Sequence, residues 1–274
     1  MNALKTGILL AVVGALAVGI GAMFFGTNGA IIGLLIALAF QGFSLFAGHK
    51  MAISFARAQE LGPTDLPWLH QANQRLSERA GIPAPKLYYS PDPQPNAFAA
   101  GWKPEVAVVC VNRGLVELMP EDQVIAVLAH EIGHIKNRDM LTMTVAAAAA
   151  SFINMIAHLA YFIPMGDDRE HNPLVGLLLL IFAPITATMI QLAISRTREF
   201  GADATAAELL GTPRPMMSAL ASLEQGTKQI PSATAEPATA HMYIASPFSG
   251  GGLMKLFSTH PPIEDRIRAL QTLA

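Results

Sequence analysis

Charge is scarce in this 274-residue chain. Asp, Glu, Lys and Arg make up 14% of it and the net charge is −2 at pH 7, whereas an average soluble protein is about 25% charged. No broad basic field exists to hold nucleic acid, so no nucleic-acid partner is expected. Cysteine is scarcer still. Cys110 stands alone, which excludes an intrachain disulfide, and a chain without disulfides fits a reducing compartment. Cys110 lies in the apolar run 106–111, the setting of a small buried hydrophobe in a strand rather than of a nucleophile.

The missing charge is missing in blocks. Thr6 to Gly48 holds no Asp, Glu, Lys or Arg, about twice the ~20 residues that span a bilayer as a helix. Asn28-Gly29, after Gly26 and Thr27, makes a turn between two spans of roughly 4–26 and 29–48. A signal peptide would be followed by a polar mature chain, and here a second apolar segment follows at once. Met140–Gly166 and His171–Ser195 also lack the four charged types and flank the polar stretch 167–170. They read as a second helical hairpin, roughly 141–163 and 174–195. Asn154, His158, Pro164 and Pro184 in it suit a bundle interior better than lipid. Basic residues flank the outer ends of both hairpins (Lys5, Lys50, Arg57, Lys136, Arg138, Arg196, Arg198), while the tips carry only Arg169 beside three acids. The tips then point away from the cytoplasm and both polar blocks lie on the cytoplasmic side. Four regions result: a transmembrane hairpin (1–48), a first polar block (49–139), a second membrane-associated hairpin (140–195) and a second polar block (196–274).

The first polar block reads as mixed helix and strand. Thr64 or Asp65 can cap a helix with Pro67 in its first turn and Gly81 at its end. Lys86–Ser90, Glu105–Val111 and, more briefly, Asn96–Trp102 read as strands. Pro120-Glu-Asp-Gln123 opens a helix with acids at its positive end, running through Asn137. In the second block, 202–210, 215–224 and 263–273 read as helices, and the Gly-, Pro- and Ser-rich stretch 225–252 as a mobile loop.

His130-Glu131-Ile132-Gly133-His134 lies inside the helix of the first block. Residues four apart project from one helix face, so both imidazoles can reach one ion at about 2.0–2.1 Å. Glu131 points to a neighbouring direction, beside the ion's open position, where it can take a proton from water. Apolar neighbours place the motif on a partly buried face, where two histidines and a glutamate need a reason, and a metal supplies one. A third ligand is needed. The acidic helical patch beside the apolar segments is Arg198-Glu-Phe-Gly-Ala-Asp203, with Glu199 and Asp203 on one face. One of the two can ligate while the other orients a histidine. On its own the patch would be a charged helix end with Arg196 and Arg198 as interface anchors.

These motifs, with Asn96-Ala-Phe-Ala-Ala-Gly101, Asn137, Asp139, Ser258-Thr-His-Pro-Pro262 and Arg266 in the same order, resemble the HtpX family of membrane zinc endopeptidases. The wider group includes the CAAX prenyl endopeptidase. The resemblance implies one zinc ion per chain, with Glu199 as third ligand and Asp203 supporting a histidine. It implies that Asn96, Ala97, Phe98 and Ala99 form an edge strand that receives substrate, with Asn96 on the substrate backbone. It places His260 near the developing oxyanion and Arg266 close to the site.

The fold expected is mainly α with a small β-sheet: a multi-span membrane protein with two transmembrane helical hairpins and a zincin-like cytoplasmic catalytic domain. The expected activity is hydrolysis of peptide bonds in misfolded or damaged membrane proteins, at the bacterial inner membrane. Polypeptide substrates and membrane lipid are its partners. A prenyl-protein endopeptidase, and a transporter or scaffold with a structural zinc, are the competing readings.

Overall fold

The structure, a computed structural model, describes residues 2–145, 196–230, 244 and 261–273. Most of the proposed second hairpin, His260 and most of the stretch 225–252 lie outside the described residues.

Helix α1 (Asn2–Phe55) is broken at Gly26, where φ is 60° and ψ −147°. Only glycine adopts that conformation cheaply, and the chain doubles back there. An added Cβ on Gly21 would run into the Gly29 carbonyl, and one on Gly33 into the Ala17 carbonyl. Gln41 Nε2 donates to the Leu10 carbonyl at 3.3 Å. The two arms are thus antiparallel and in close backbone contact. The turn sits at Gly26 rather than at Asn28-Gly29, because Gly29 is used as the contact that lets the arms approach. Phe25–Phe43 is the one helix among the described residues long and apolar enough to cross a membrane, and Thr6–Ala22 is a shorter apolar helix.

The second arm runs on beneath a four-stranded sheet. Its strands are β1 (Gln59–Glu60), β2 (Lys86–Ser90), β3 (Ala97–Ala100) and β4 (Val108–Asn112), in the order β1-β2-β4-β3. β4 is parallel to β2 and antiparallel to β3. All five residues of β4 are buried, because both faces of the sheet are covered. Phe98, Ala100, Val108 and Cys110 pack against Ala52 and Ile53 of α1 and Ala56 just after it, and the alternate residues Leu87, Ala97, Val109 and Val111 join the main core. Cys110 is the buried hydrophobe its sequence context suggests, and burial pushes its thiol pKa well up. The strand begins three residues later than expected, since Pro104–Val106 forms a 3-10 turn.

The main core is built on α4 (Glu121–Lys136), which is buried on nearly every side from Gln123 to Ile135. Around it pack α2 (Pro67–Ala80), the sheet, α5 (Arg196–Leu210), α6 (Arg214–Gln229) and α7 (Ile263–Gln271), with α3 (Arg113–Leu118) linking β4 to α4. Each fully buried Leu, Ile or Val here contributes about 1.5–3 kcal/mol. α2 starts after Leu66, which takes a left-handed conformation (φ 47°), while Asp65 accepts the Gly62 N–H instead of capping the helix. α6 runs five residues past its expected end, to Gln229. Gly226 does not break the helix, because its bare Cα lies against the Pro95 ring, and Glu224–Lys228 forms an i,i+4 ion pair across it.

Candidate metal centre

His130 and His134 project from one face of α4 towards α5. Gly133 lies between them on the side where α5 crosses, and a Cβ there would stand 3.1 Å from the Ala202 carbonyl oxygen. The glycine lets α5 come close enough to place Glu199 and Asp203, one turn apart, against the two rings. Each imidazole is held from behind by its own carboxylate. His130 Nδ1 lies 2.9 Å from Asp203 Oδ1, and His134 Nδ1 lies 3.1 Å from Asp139 Oδ2. With both Nδ1–H groups donating to carboxylates, the neutral tautomers leave both Nε2 atoms as bare acceptors.

Those acceptors converge. The two Nε2 atoms are 3.2 Å apart, and Glu199 oxygens lie 3.5 Å from His134 Nε2 and 3.7 Å from His130 Nε2. Two lone pairs and a carboxylate at such distances repel one another unless a metal ion, or a proton on His134, joins them. Bonds of about 2.0–2.1 Å at a tetrahedral angle would separate the donors by about 3.3 Å. The three side chains fit a metal ion, with all their donor atoms within 4.8 Å of one another.

Behind this cluster sits Arg266 on α7, with no solvent exposure. It grips Asp203 with two hydrogen bonds, Nε to Oδ2 at 2.8 Å and Nη2 to Oδ1 at 2.7 Å. Its Nη1 donates to the Ile244 carbonyl at 3.0 Å and lies 3.4 Å from Glu199 Oε2. Burial acts against the Asp203 anion, but the guanidinium outweighs it and holds the carboxyl at about 2. Burial likewise disfavours the Arg266 cation, and Asp203 and Glu199 more than restore it.

The histidines differ. Burial lowers the His130 pKa, and Asp203 only partly offsets that. Burial also disfavours charge on His134, but its bond to Asp139 and the charges of Glu199 and Glu131 raise its pKa to about 9. Glu131 is raised to about 7, first by burial, with the His134 charge opposing and Glu199 reinforcing it. Its carboxylate accepts the Ala99 main-chain N–H, so it lies against β3.

β3 is the outer strand of the sheet. The Asn112 N–H donates to the Asn96 carbonyl, so by antiparallel alternation the even-numbered residues of β3 bond to β4. Ala97 and Ala99 therefore turn their main-chain groups to the open side. Phe98 points to the α1 face. Asn96 is buried, and its Oδ1 accepts the Ile244 N–H at 3.0 Å.

Two features escape sequence reasoning. Asp139 was visible only as part of a motif, and no helical spacing links it to His134. Its position comes from Arg138, whose left-handed φ of 57° turns the chain after α4. Arg198, which on the patch alone would be an interface anchor, is buried beside Asp139 and Glu199.

A family model described as peptidase family M48 matches residues 63–274. The chain belongs to peptidase family M48. Over all of its length it is 44% identical to a "Protease HtpX homolog" of Sulfurihydrogenibium sp., covering 96% of that protein. It is 43% identical to one of Salinibacter ruber, covering 99%, and 42% identical to one of Pelotomaculum thermopropionicum, covering 100%. The crystal structure of S. mikatae Ste24p aligns with 98% of the chain at a TM-score of 0.55 and 19% identity. The chain spans 65% of the Ste24p length, and that likeness is one of fold. This M48 peptidase is thus a metalloprotease of the HtpX group, a mostly helical hydrolase with a small mixed sheet.

Proposed function

We propose that this M48 peptidase hydrolyses peptide bonds of membrane proteins with one zinc ion per chain, held by His130 Nε2, His134 Nε2 and the Glu199 carboxylate. The observation that carries the reading is the convergence of two Nε2 atoms and a carboxylate, each ring held from behind by its own acid. Two nitrogens and one oxygen are the usual three protein ligands of a catalytic zinc. A zinc ion so held supplies Lewis acidity and brings the pKa of water from 15.7 to about 7.

The chain's own residues do the rest. Glu131 takes a proton from the attacking water and returns it to the departing amine. Burial, which raises its pKa from the ordinary carboxylate value, favours its accepting and holding that proton. Asp203 and Asp139 fix the tautomers and aim the rings, and Arg266 holds Asp203 in place. The substrate backbone lies along the open side of β3 by strand addition, bonding to the Ala97 main chain and the Ala99 carbonyl, with Asn96 at the strand's start. On the family resemblance, His260 is assigned to stabilising the oxyanion. The α1 hairpin spans the bacterial inner membrane, and the catalytic residues face the cytoplasm. Misfolded or damaged membrane proteins are the substrates.

The test is cleavage of casein and of a membrane protein by detergent-purified enzyme, with zinc and after chelation, beside Glu131→Gln. Zinc-dependent cleavage that disappears in the variant is the expected result. Cleavage that persists in zinc-loaded Glu131→Gln would overturn the mechanism.

A further inference from the structure

The far end of β3 is tied to the apolar part of the molecule. Trp102 packs edge-on against Phe46 of α1, with ring centroids 5.6 Å apart. The Gly101 carbonyl accepts a hydrogen bond from Thr144 Oγ1 at 3.1 Å. Lys103 Nζ lies 4.8 Å from the centre of the Trp102 ring. Phe46 comes one turn after Phe43, where the membrane-length helix ends, and is 67% exposed. Lys50, a turn further on, is also exposed. Aromatic rings followed by lysines at the end of an apolar helix are the chemistry of the headgroup layer, where amphipathic rings settle and ammonium groups reach phosphates. The metal chemistry uses none of these residues.

The distance from this layer to the reaction can be measured along two paths. Ala99, which bonds to Glu131, precedes Trp102 by three residues, at most about 10 Å of chain, since β3 ends at Ala100. On the helix side, Ala52 and Ile53 pack beneath Phe98 and Ala100. They follow Phe46 by six or seven residues, again about 10 Å of helical rise. The two paths agree.

We propose that Trp102 and Lys103 rest in the lipid headgroup layer and set the height of the catalytic groups, so that the enzyme cuts polypeptides anchored in the same bilayer close to where they leave it. The nearest bond within reach lies about three extended residues from the membrane, from the ~10 Å separation. The proposal rests on the reading that α1 lies in a membrane and that Glu131 acts on the bond. A substrate strand on the open side of β3 shares its axis, so its membrane-proximal end meets the lipid surface at Trp102. Bonds closer than that cannot reach Glu131. Bonds further out can, but the advantage of a shared membrane falls as the tether lengthens.

The test reconstitutes the full chain with zinc in vesicles of phosphatidylethanolamine and phosphatidylglycerol. Single-span model substrates carry one cleavable segment behind spacers of zero to thirty residues, and mass spectrometry maps the cuts. We expect no cleavage at zero or one residue, a maximum just past three or four, and a decline of about twentyfold by thirty. Equal rates at every spacer, zero included, would overturn the proposal. In Trp102→Gln, the sharp minimum should blur while hydrolysis of a soluble peptide in detergent keeps its wild-type rate. A matching loss in both assays would assign Trp102 to the active site and also overturn the proposal. Alkaline carbonate extraction separates the layers of inference. A chain released by carbonate removes the membrane reading and the proposal with it, whereas a retained, active chain with no spacer dependence overturns the proposal alone.

Discussion

Gly133 brings α4 and α5 together at the Ala202 carbonyl, and Gly21, Gly29 and Gly33 bring the arms of α1 together at one another and at Ala17. The device is the same, a helix face without a Cβ, but the surroundings are opposite. At the α4–α5 crossing, two histidines, two aspartates, two glutamates and two arginines are buried. Within the hairpin there is no charged residue from Thr6 to Gly48, and Ile31, Ile32, Leu35 and Phe43 face outwards. Close helix packing is therefore indifferent to polarity. What makes the charged crossing tenable is that its ions are matched: Arg266 on Asp203, Asp203 on His130, Asp139 on His134. An unmatched charge in such a place would cost several kcal/mol.

The sharpest way to break the comparison is to remove chemistry while leaving packing intact. Glu131→Gln is nearly isosteric, and we expect a loss of at least 1,000-fold in peptide hydrolysis, at the upper range for a general base. Metal content, read by elemental analysis, should stay at one per chain. His134→Ala should lose both metal and activity. Retention of zinc in His134→Ala would mean that the convergent Nε2 atoms are not the ligands.

Next in size is the removal of one partner from the matched ions. Asp203→Asn leaves the Arg266 guanidinium buried beside a neutral amide and should cost about 3–5 kcal/mol, read from unfolding in detergent. Asp139→Asn also takes a carboxylate from beside a buried arginine, Arg198, which keeps Glu199 as a neighbour, and its distinguishing effect should be a 10- to 100-fold loss of zinc affinity. Unchanged zinc affinity in Asp139→Asn would show that Asp139 does not support the His134 ring, against the geometry. The same pair separates with pH. The Asp203 carboxyl, held at about 2, contributes stability that is present above its ordinary value near 4 and lost as pH falls through 2. His134, raised to about 9 in the metal-free chain, contributes stability that is present below about 6.5 and lost as pH rises through 9. Zinc must displace that proton. Affinity should climb about tenfold per pH unit below 9, with about one proton released, which calorimetry in buffers of different ionisation enthalpy measures.

What the sequence could and could not reveal follows from the range of the forces involved. His130, Glu131 and His134, and likewise Glu199 and Asp203, are related by helical spacing, so their shared faces can be read locally. The meeting of those two faces needs a close helix crossing, which Gly133 hints at only once the crossing is known. Asp139 reaches His134 through a left-handed Arg138, and no periodicity encodes that. Ile244 takes part through its main chain, bonded to both Asn96 and Arg266, so its side-chain type carries no signal. The turn of α1 misled for a related reason. Asn28-Gly29 has turn chemistry, but Gly29 is needed as a flat surface against Gly21, and the reversal moves to Gly26.

The smallest effect on catalysis should come from the hairpin's glycines, and it tests whether the two crossings are independent. Gly133→Ala puts a methyl 3.1 Å from the Ala202 oxygen and 3.3 Å from the Thr205 Cβ. α5 must then shift by a few tenths of an ångström, at a cost of about 1–3 kcal/mol for overpacking. Glu199 moves with it, so zinc affinity and turnover should both fall, by about tenfold. Gly29→Ala drives a methyl into the Gly21 backbone and forces the arms of α1 apart. It should destabilise the chain by a similar amount, yet leave soluble-peptide hydrolysis in detergent within about twofold, because the crossing it disturbs lies at the tip of α1, whereas the sheet rests on Ala52, Ile53 and Ala56 at the other end. Comparable losses of turnover in the two variants would show that the hairpin's packing is transmitted through α1 and β3 to Glu131, and the two glycine crossings would then be one mechanical unit.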